Sequence, residues 1–327
     1  MLIAVNYHYI RPSFDQPYPG IHGITPDHFE RQLNILGGVG KFVSANDLRS
    51  AIYGTKVLPP RSLMVTFDDG LREQYDFAWP VLKRLGIPAL FFINTAPIQK
   101  STVSVVHKIH LLRANMAPKD FLISLRQQSQ NHGVELSLDV DAGIAMSHYK
   151  YDTPEIAQLK FLLNLVINGD DRDRIIDACF QSFFFGQESV ISKDLYMQPR
   201  DVSDLAHYGC VGTHAHEHLP LGLLPSDKIA THINLSVECL EKWTGKKPFS
   251  LSYPYGSKES CSGGAPEIAT HFGIEFAFTM ERAGNYDLDR PLSLARFDNN
   301  DLPGGKASKW GAEELFDAVP EAAWHLG

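Results

Sequence analysis

Cysteine is scarce in this chain: Cys179, Cys210, Cys239 and Cys261 are the only four in 327 residues, and none stand in a C-x-x-C spacing. That scatter excludes a zinc ribbon and a disulfide-dense secreted scaffold, and it reads as packed, reduced thiols. Long apolar runs are also missing. The stretch at 88–93 falls far short of the roughly 20 residues that span a bilayer, which predicts no membrane span. No block of Lys and Arg interrupts a balance of 30 basic against 38 acidic residues, a net charge of −8. A phosphate backbone therefore has no electrostatic footprint here, and nucleic acid is excluded as a partner. The opening residues carry no basic segment ahead of an apolar one and no small-residue cleavage site, from which a cytoplasmic location is expected. What remains is ordinary for a folded protein: 44% hydrophobic and 21% charged residues, far from the composition of disorder. The length suits two ordinary domains or one large α/β domain.

Short apolar runs at 2–7, 62–67 and 89–93 are too brief for helices and read as buried strands. Between them, 25–36 places Phe29, Leu33 and Leu36 at helical spacing behind a Thr-Pro-Asp start, with Gly37-Gly38 as its expected stop. A second helix is expected over 75–85, closed by Gly86. Alternating strands and helices predict a parallel sheet covered by helices, either open or closed as a barrel. From 97 to 196 strand signals stop and polar helical segments dominate, with loops expected at 127–133 and 169–174, so this stretch reads as a mostly helical insertion. After Pro199 the alternation returns, with helices at 202–207 and 225–244 and strands near 210–212, 249–253 and 276–278.

Three segments carry chemistry. Thr66-Phe67-Asp68-Asp69-Gly70 lies where a buried strand ends, on the face that hosts active sites in parallel α/β folds. Neighbouring side chains diverge there, so one Asp can bind a cation while the other accepts a proton, although Asp-Gly is also common turn chemistry. The segment 212–220 contains His214, His216 and His218 just after a strand. If it is helical, His214 and His218 share a face; if it is extended, alternate histidines line one side; a solvated polar loop is the plainer alternative. Ser252-Tyr253-Pro254-Tyr255-Gly256 breaks a strand into a turn whose backbone N–H could meet a developing oxyanion and whose Tyr could wall a sugar subsite. Alone, it reads as a turn.

In this order the three segments resemble the polysaccharide deacetylase family with the NodB homology domain, also called carbohydrate esterase family 4. T-F-D-D-G stands intact at 66–70, H-[ST]-x-x-H is matched by His214 and His218, and the final P-Y-G by 254–256. The resemblance covers roughly 1–96 and 197–302. It implies one catalytic domain over 1–327, a distorted (β/α) barrel of the NodB type interrupted by the helical insertion at 97–196. It also implies Asp69, His214 and His218 as ligands of a divalent cation, most simply Zn²⁺, Asp68 as general base, and the Tyr255 N–H as part of an oxyanion hole. His216 then faces away or supports the ligands.

Three departures bear on the mechanism. Ala215 replaces the motif's Ser or Thr, and Ser252 stands where many relatives carry an Arg that orients the catalytic Asp. Arg296, in Leu-Ala-Arg-Phe-Asp-Asn-Asn-Asp, resembles the R-x-D-x-x-D ending of relatives that lack that Arg and is the expected substitute. The usual C-terminal strand ending in His is missing, but His8 ends the first strand, as in members with permuted strand order, and is the expected general acid. His107 and His110, at i and i+3 on an insertion helix, could reach a metal or substrate but read more simply as interface or core histidines. The implied activity is metal-dependent removal of an N-acyl group, most simply N-acetyl, from an amino sugar in a precursor of a surface polysaccharide. A non-sugar amide or cyclic imide, and an inactive carbohydrate-binding homologue, are the rival readings. The insertion offers a surface for homo-oligomers.

Overall fold

The computed structural model describes residues 1–14, 21, 23–134, 140–148, 153–167 and 169–324. Every residue of β1 (Leu2–Tyr7) is buried. A fully buried strand must pair its backbone on both edges, and β1 does so. Helices α1 (Pro26–Val39) and α2 (Ala45–Ile52) flank the two-residue β2 (Lys41–Phe42) before β3 (Ser62–Phe67). β1 and β3 pair in parallel along their whole length, from Leu2 opposite Ser62 to Tyr7 opposite Phe67. β2 pairs with the start of β3, and β4 (Ala89–Ile93), reached through α3 (Trp79–Leu85), pairs with its end. β5 (Val211–Thr213), β6 (Ser250–Ser252) and β7 (Phe276–Phe278) extend the sheet on one side, and β8 (Phe297–Asp298) pairs with β1 on the other. The order is β7-β6-β5-β4-β3-β1-β8, with all pairings parallel.

Strand alternation sends two apolar sets to opposite faces. Ile3, Val5, Tyr7, Val65, Phe67 and Phe91 join Phe29, Leu33 and Leu36 of α1. Leu2, Ala4, Met64, Leu90, Phe92 and Phe278 form the other set. Phe92 on β4 and Phe278 on β7 have two strands between them, yet their ring centroids are 6.0 Å apart. Adjacent strands lie nearly 5 Å apart, so only a strongly curled sheet permits that contact. The fold is the expected distorted (β/α) barrel. Toward the C-terminal ends of β1 and β3 the inner set gives way to buried Asn6, Thr66 and Asp68.

Chain contacts divide the protein into two compact units, one of residues 1–12, 23–102 and 192–327, which holds the sheet, and one of residues 13–22 and 103–191. Among its described residues the second unit is helical. It contains α5 (Val105–Asn115), α6 (Pro118–Asn131), α7 (Ala142–His148), α8 (Pro154–Phe161) and α9 (Gly169–Phe184), after the short α4 (Thr95–Lys100) of the first unit. Its core includes Leu111, Phe121, Leu125, Ile176 and Phe180. Lys108 is buried over the Phe180 ring and pairs with Asp177 and Glu188.

Three local expectations are corrected. Gly37-Gly38 does not stop α1, which runs to Val39 and closes at Gly40, whose N–H donates to the Leu36 carbonyl. A glycine costs a helix only about 1 kcal/mol, which packing of Phe29, Leu33 and Leu36 outweighs. The chain leaves at Gly40 because a Cβ there would lie 2.7 Å from Leu63 Cδ1. The expected loop at 127–133 is mostly α6, held by buried Leu125 and Ser129. The expected loop at 169–174 is the first turn of α9, where Asp170 and Asp171 complement the helix dipole.

Gly212, on β5, faces the inner set: a Cβ there would sit 2.6 Å from the Phe92 ring and 2.6 Å from Ser250 Oγ. Gly212→Ala is expected to destabilise the protein by about 1–3 kcal/mol, the usual cost of overpacking, read as a lower urea midpoint with unchanged slope.

Candidate active site

Parallel strands end on one rim, and each chemistry-bearing segment follows a strand there: His8 after β1, Asp68-Asp69 after β3, His214 after β5, and 253–256 after β6. The backbone on this rim is strained. Among the described residues six that are not glycine have positive φ, and four are motif residues: Asp69 (77°), Ala215 (57°), His218 (55°) and Tyr255 (64°). Such conformations persist only where the surroundings enforce them, and they cluster at functional sites. The side-chain amide of Gln74 donates to the carbonyls of Asp68 (2.6 Å) and His8 (3.0 Å), tying the β1 and β3 exits together.

Asp69, His214 and His218 converge. One donor atom from each lies within 4.8 Å of the others, all three residues are buried, and no other such group exists among the described residues. Asp69 Oδ1 is 3.5 Å from His214 Nε2 and 3.3 Å from His218 Nε2. His214 Nδ1 lies 2.7 Å from the Ser252 carbonyl, so that nitrogen carries the proton and Nε2 presents its lone pair toward Asp69. Burial, only partly offset by the charge of Asp68, pulls the His214 imidazole down to about 4, which keeps it neutral near pH 7. One carboxylate oxygen and two Nε2 atoms, one with its tautomer fixed, are a donor set suited to a divalent cation of borderline softness. The Tyr255 ring packs edge-on against His218 at 4.9 Å and is 46% exposed, which makes it a wall of the site.

Asp68 has a different environment. Arg296, with no exposed surface, donates from Nη1 to Asp68 Oδ1 and from Nη2 to Asp68 Oδ2, both at 2.9 Å. Its remaining hydrogens reach Asn6 Oδ1 (3.2 Å), Thr66 Oγ1 (3.1 Å), Ser252 Oγ (2.7 Å) and the Thr279 carbonyl (3.1 Å). The guanidinium carbon lies 5.7 Å from the Phe92 ring and 5.6 Å from the Phe278 ring. Asn6 Nδ2 adds a bond to Asp68 Oδ2 at 2.8 Å. Burial would raise the Asp68 carboxyl, but the charge of Arg296, then that of His214, the guanidinium hydrogen bonds and the charge of His8 outweigh it and hold the carboxyl well below the usual carboxylate range. Ser252, at the position of the motif's usual Arg, accepts a bond from the Arg supplied by residue 296.

His8 is half-buried beside β1 and close enough to Asp68 to act on its charge. His216 turns away from the cluster: its Nδ1 lies 2.9 Å from Thr95 Oγ1, and its carbonyl accepts from Asn94 Nδ2 (2.9 Å) and the Ala96 N–H (2.8 Å). It pins the histidine segment to the start of α4. At Ala215 the backbone N–H donates to Thr213 Oγ1 at 3.1 Å. His107 is buried in the second unit against Ser104 Oγ (2.9 Å), with the His110 ring 5.9 Å away. Sequence reasoning missed Asn6 and Asn94, and gave Thr66, though within the first motif, no role of its own. A polar residue inside an otherwise apolar strand, as at Asn6 and Thr66, was the available signal.

Because folding depresses the Asp68 pKa, its stabilisation is fully present above the unfolded value of about 4 and is lost as pH falls below it. Asp68→Asn should therefore flatten the fall in unfolding free energy between pH 5 and acid, measured by urea titration at each pH; an unchanged slope would mean that the pair contributes nothing. Arg296→Met, which strands a buried carboxylate, should cost about 3–5 kcal/mol.

The sequence model of the polysaccharide deacetylase family matches residues 55–135 and 180–276, over half of the chain, and these stretches contain Asp68, Asp69, His214, His218 and Tyr255. No curated protein matches the sequence. Among solved structures, IcaB from Ammonifex degensii is 20% identical over 90% of this chain and 90% of its own, with a TM-score of 0.55. A de-N-acetylase from Aggregatibacter actinomycetemcomitans is 14% identical over 96% of this chain and 99% of its own, with a TM-score of 0.56. The Streptococcus pyogenes deacetylase PplD is 15% identical over 97% of both chains, with a TM-score of 0.52. At these identities the likeness is one of fold. The family match over the motif-bearing stretches places the chain in the polysaccharide deacetylase family, as a hydrolase of the carbohydrate N-deacetylase kind.

Proposed function

We propose that the chain is a metal-dependent N-deacetylase that removes an acyl group, most simply acetyl, from an amino sugar of a surface-polysaccharide precursor. The observation that supports this reading is the convergence of Asp69, His214 and His218 beside a second carboxylate that Arg296 keeps ionised. Asp69, His214 and His218 would hold the cation, Zn²⁺ by the preference of imidazole donors, and when bound it supplies Lewis acidity to a water and to the acyl carbonyl. Asp68 orients that water and accepts its proton as the carbonyl carbon is attacked. A carboxylate held so low is a weak base that gives the proton up readily, and His8 is the group that passes a proton to the amine nitrogen, which cannot leave as an anion. The Tyr255 N–H, presented by a left-handed turn, faces the developing oxyanion. Residues 97–196 are read as an insertion into this single catalytic domain. No helix among the described residues is long and apolar enough to cross a membrane.

Release of acetate from N-acetylglucosamine oligomers tests the reading. Chelation should abolish it and Zn²⁺ should restore it, and His218→Ala should lose bound metal. Asp68→Asn should retain metal and lose about 10²–10⁴-fold in turnover, the usual worth of a positioned base. Metal-free wild-type protein with full activity, or metal loss in Asp68→Asn that tracks its activity, would overturn the assignment. His8→Ala should slow amide hydrolysis far more than hydrolysis of an activated ester, whose leaving group needs little protonation; equal slowing of both would remove His8 from the mechanism.

A further inference from the structure

Met280 follows β7 onto the rim, half-buried, and belongs to none of the motifs. Its sulfur accepts from Asn6 Nδ2 at 3.7 Å, and the same amide nitrogen donates to Asp68 Oδ2 at 2.8 Å. Its backbone N–H donates to the Gly256 carbonyl at 2.8 Å. A Cβ on Gly256 would fall 2.5 Å from Met280 Cγ, so the stem of the side chain lies directly on the turn that follows Tyr255. Met280 thus bridges β6 and β1 across the curl, between the brace of the proton acceptor and the turn facing the oxyanion.

We infer that Met280 is a specificity-determining residue, the wall that limits the length of the acyl group. This rests on the deacylase reading above. A carbonyl carbon attacked by water at Asp68 directs its oxygen to the Tyr255 turn and its nitrogen to His8. The third substituent, the acyl chain, is left the edge between Asn6 and Gly256. Polar groups crowd the rest of that neighbourhood: Asn6, Thr66, Asp68, Ser252 and Arg296 are all buried there. Met280 lays an apolar side chain along this edge, with its stem on the Gly256 turn and its sulfur at the Asn6 amide. A methionine is ordinarily adaptable, but this one is held at both ends, by backbone contact at the stem and by the Asn6 amide at the sulfur. It therefore accepts a methyl group and obstructs a longer chain.

The zinc-loaded protein is assayed on p-nitrophenyl acetate and butyrate, and on N-acetyl- and N-butyryl-glucosamine oligomers, for wild type, Met280→Ala and Met280→Leu. Met280→Ala should raise the butyryl-to-acetyl ratio of kcat/KM by about tenfold or more, the scale on which pockets discriminate methylenes, and Met280→Leu should stay near wild type. The ratio cancels any loss of folded protein. A Met280→Ala protein that slows on both acyl lengths equally overturns the inference and leaves the deacylase reading standing. A wild type inert toward all four substrates overturns both.

Discussion

The site depends on one buried ion pair. Taking a carboxylate out of water costs several kcal/mol, and Asp68 must be both desolvated and ionised. Arg296 resolves the conflict with two parallel hydrogen bonds, and its own desolvation is met by Asn6, Thr66, Ser252 and Thr279 together with two aromatic faces. Each of these partners lies at or just past the end of a strand on the inner face of the curl. The sheet has to curl for Phe92 and Phe278 to pack together against one guanidinium, so the shape of the barrel and the ionisation of Asp68 are one constraint.

The two carboxylates of a single dipeptide are divided by backbone geometry. Asp68 points into the guanidinium cage, and Asp69, turned by its positive φ, faces the histidines. The second motif is treated likewise. Left-handed conformations at Ala215 and His218 let His214 and His218 converge and send His216 to Thr95. Neither a helix nor a strand would do this, which is why both regular spacings considered from the sequence were open and neither describes the segment.

The strands, their parallel sense and the motif positions were legible because six-residue apolar runs and fixed dipeptides are local signals. Arg296 was legible only through a missing residue: Ser252 in the usual Arg position made a replacement necessary, and one candidate stood in a similar local pattern. The roles of Asn6 and Thr66 went unread because their partner Arg296 lies far along the chain, and a polar residue within a strand does not announce its partner. The helices at 118–131 and 169–184 were partly taken for loops because Gly133 and Gly169 beside polar residues read as turn signals, which packing of Leu125, Ile176 and Phe180 overrides.

The pair also orders the birth of the enzyme. Asn6 and Arg296, which meet in the finished cage, are 290 residues apart. A chain growing on the ribosome contains Asp69, His214 and His218 once residue 218 is made, long before β8 exists. Until β8 reaches β1, Asp68 has no guanidinium to offset its burial. Such long-range closure is slow, because the loop entropy is lost before the contact forms. The consequence is that the complete site exists only in a chain whose first and last strands have paired.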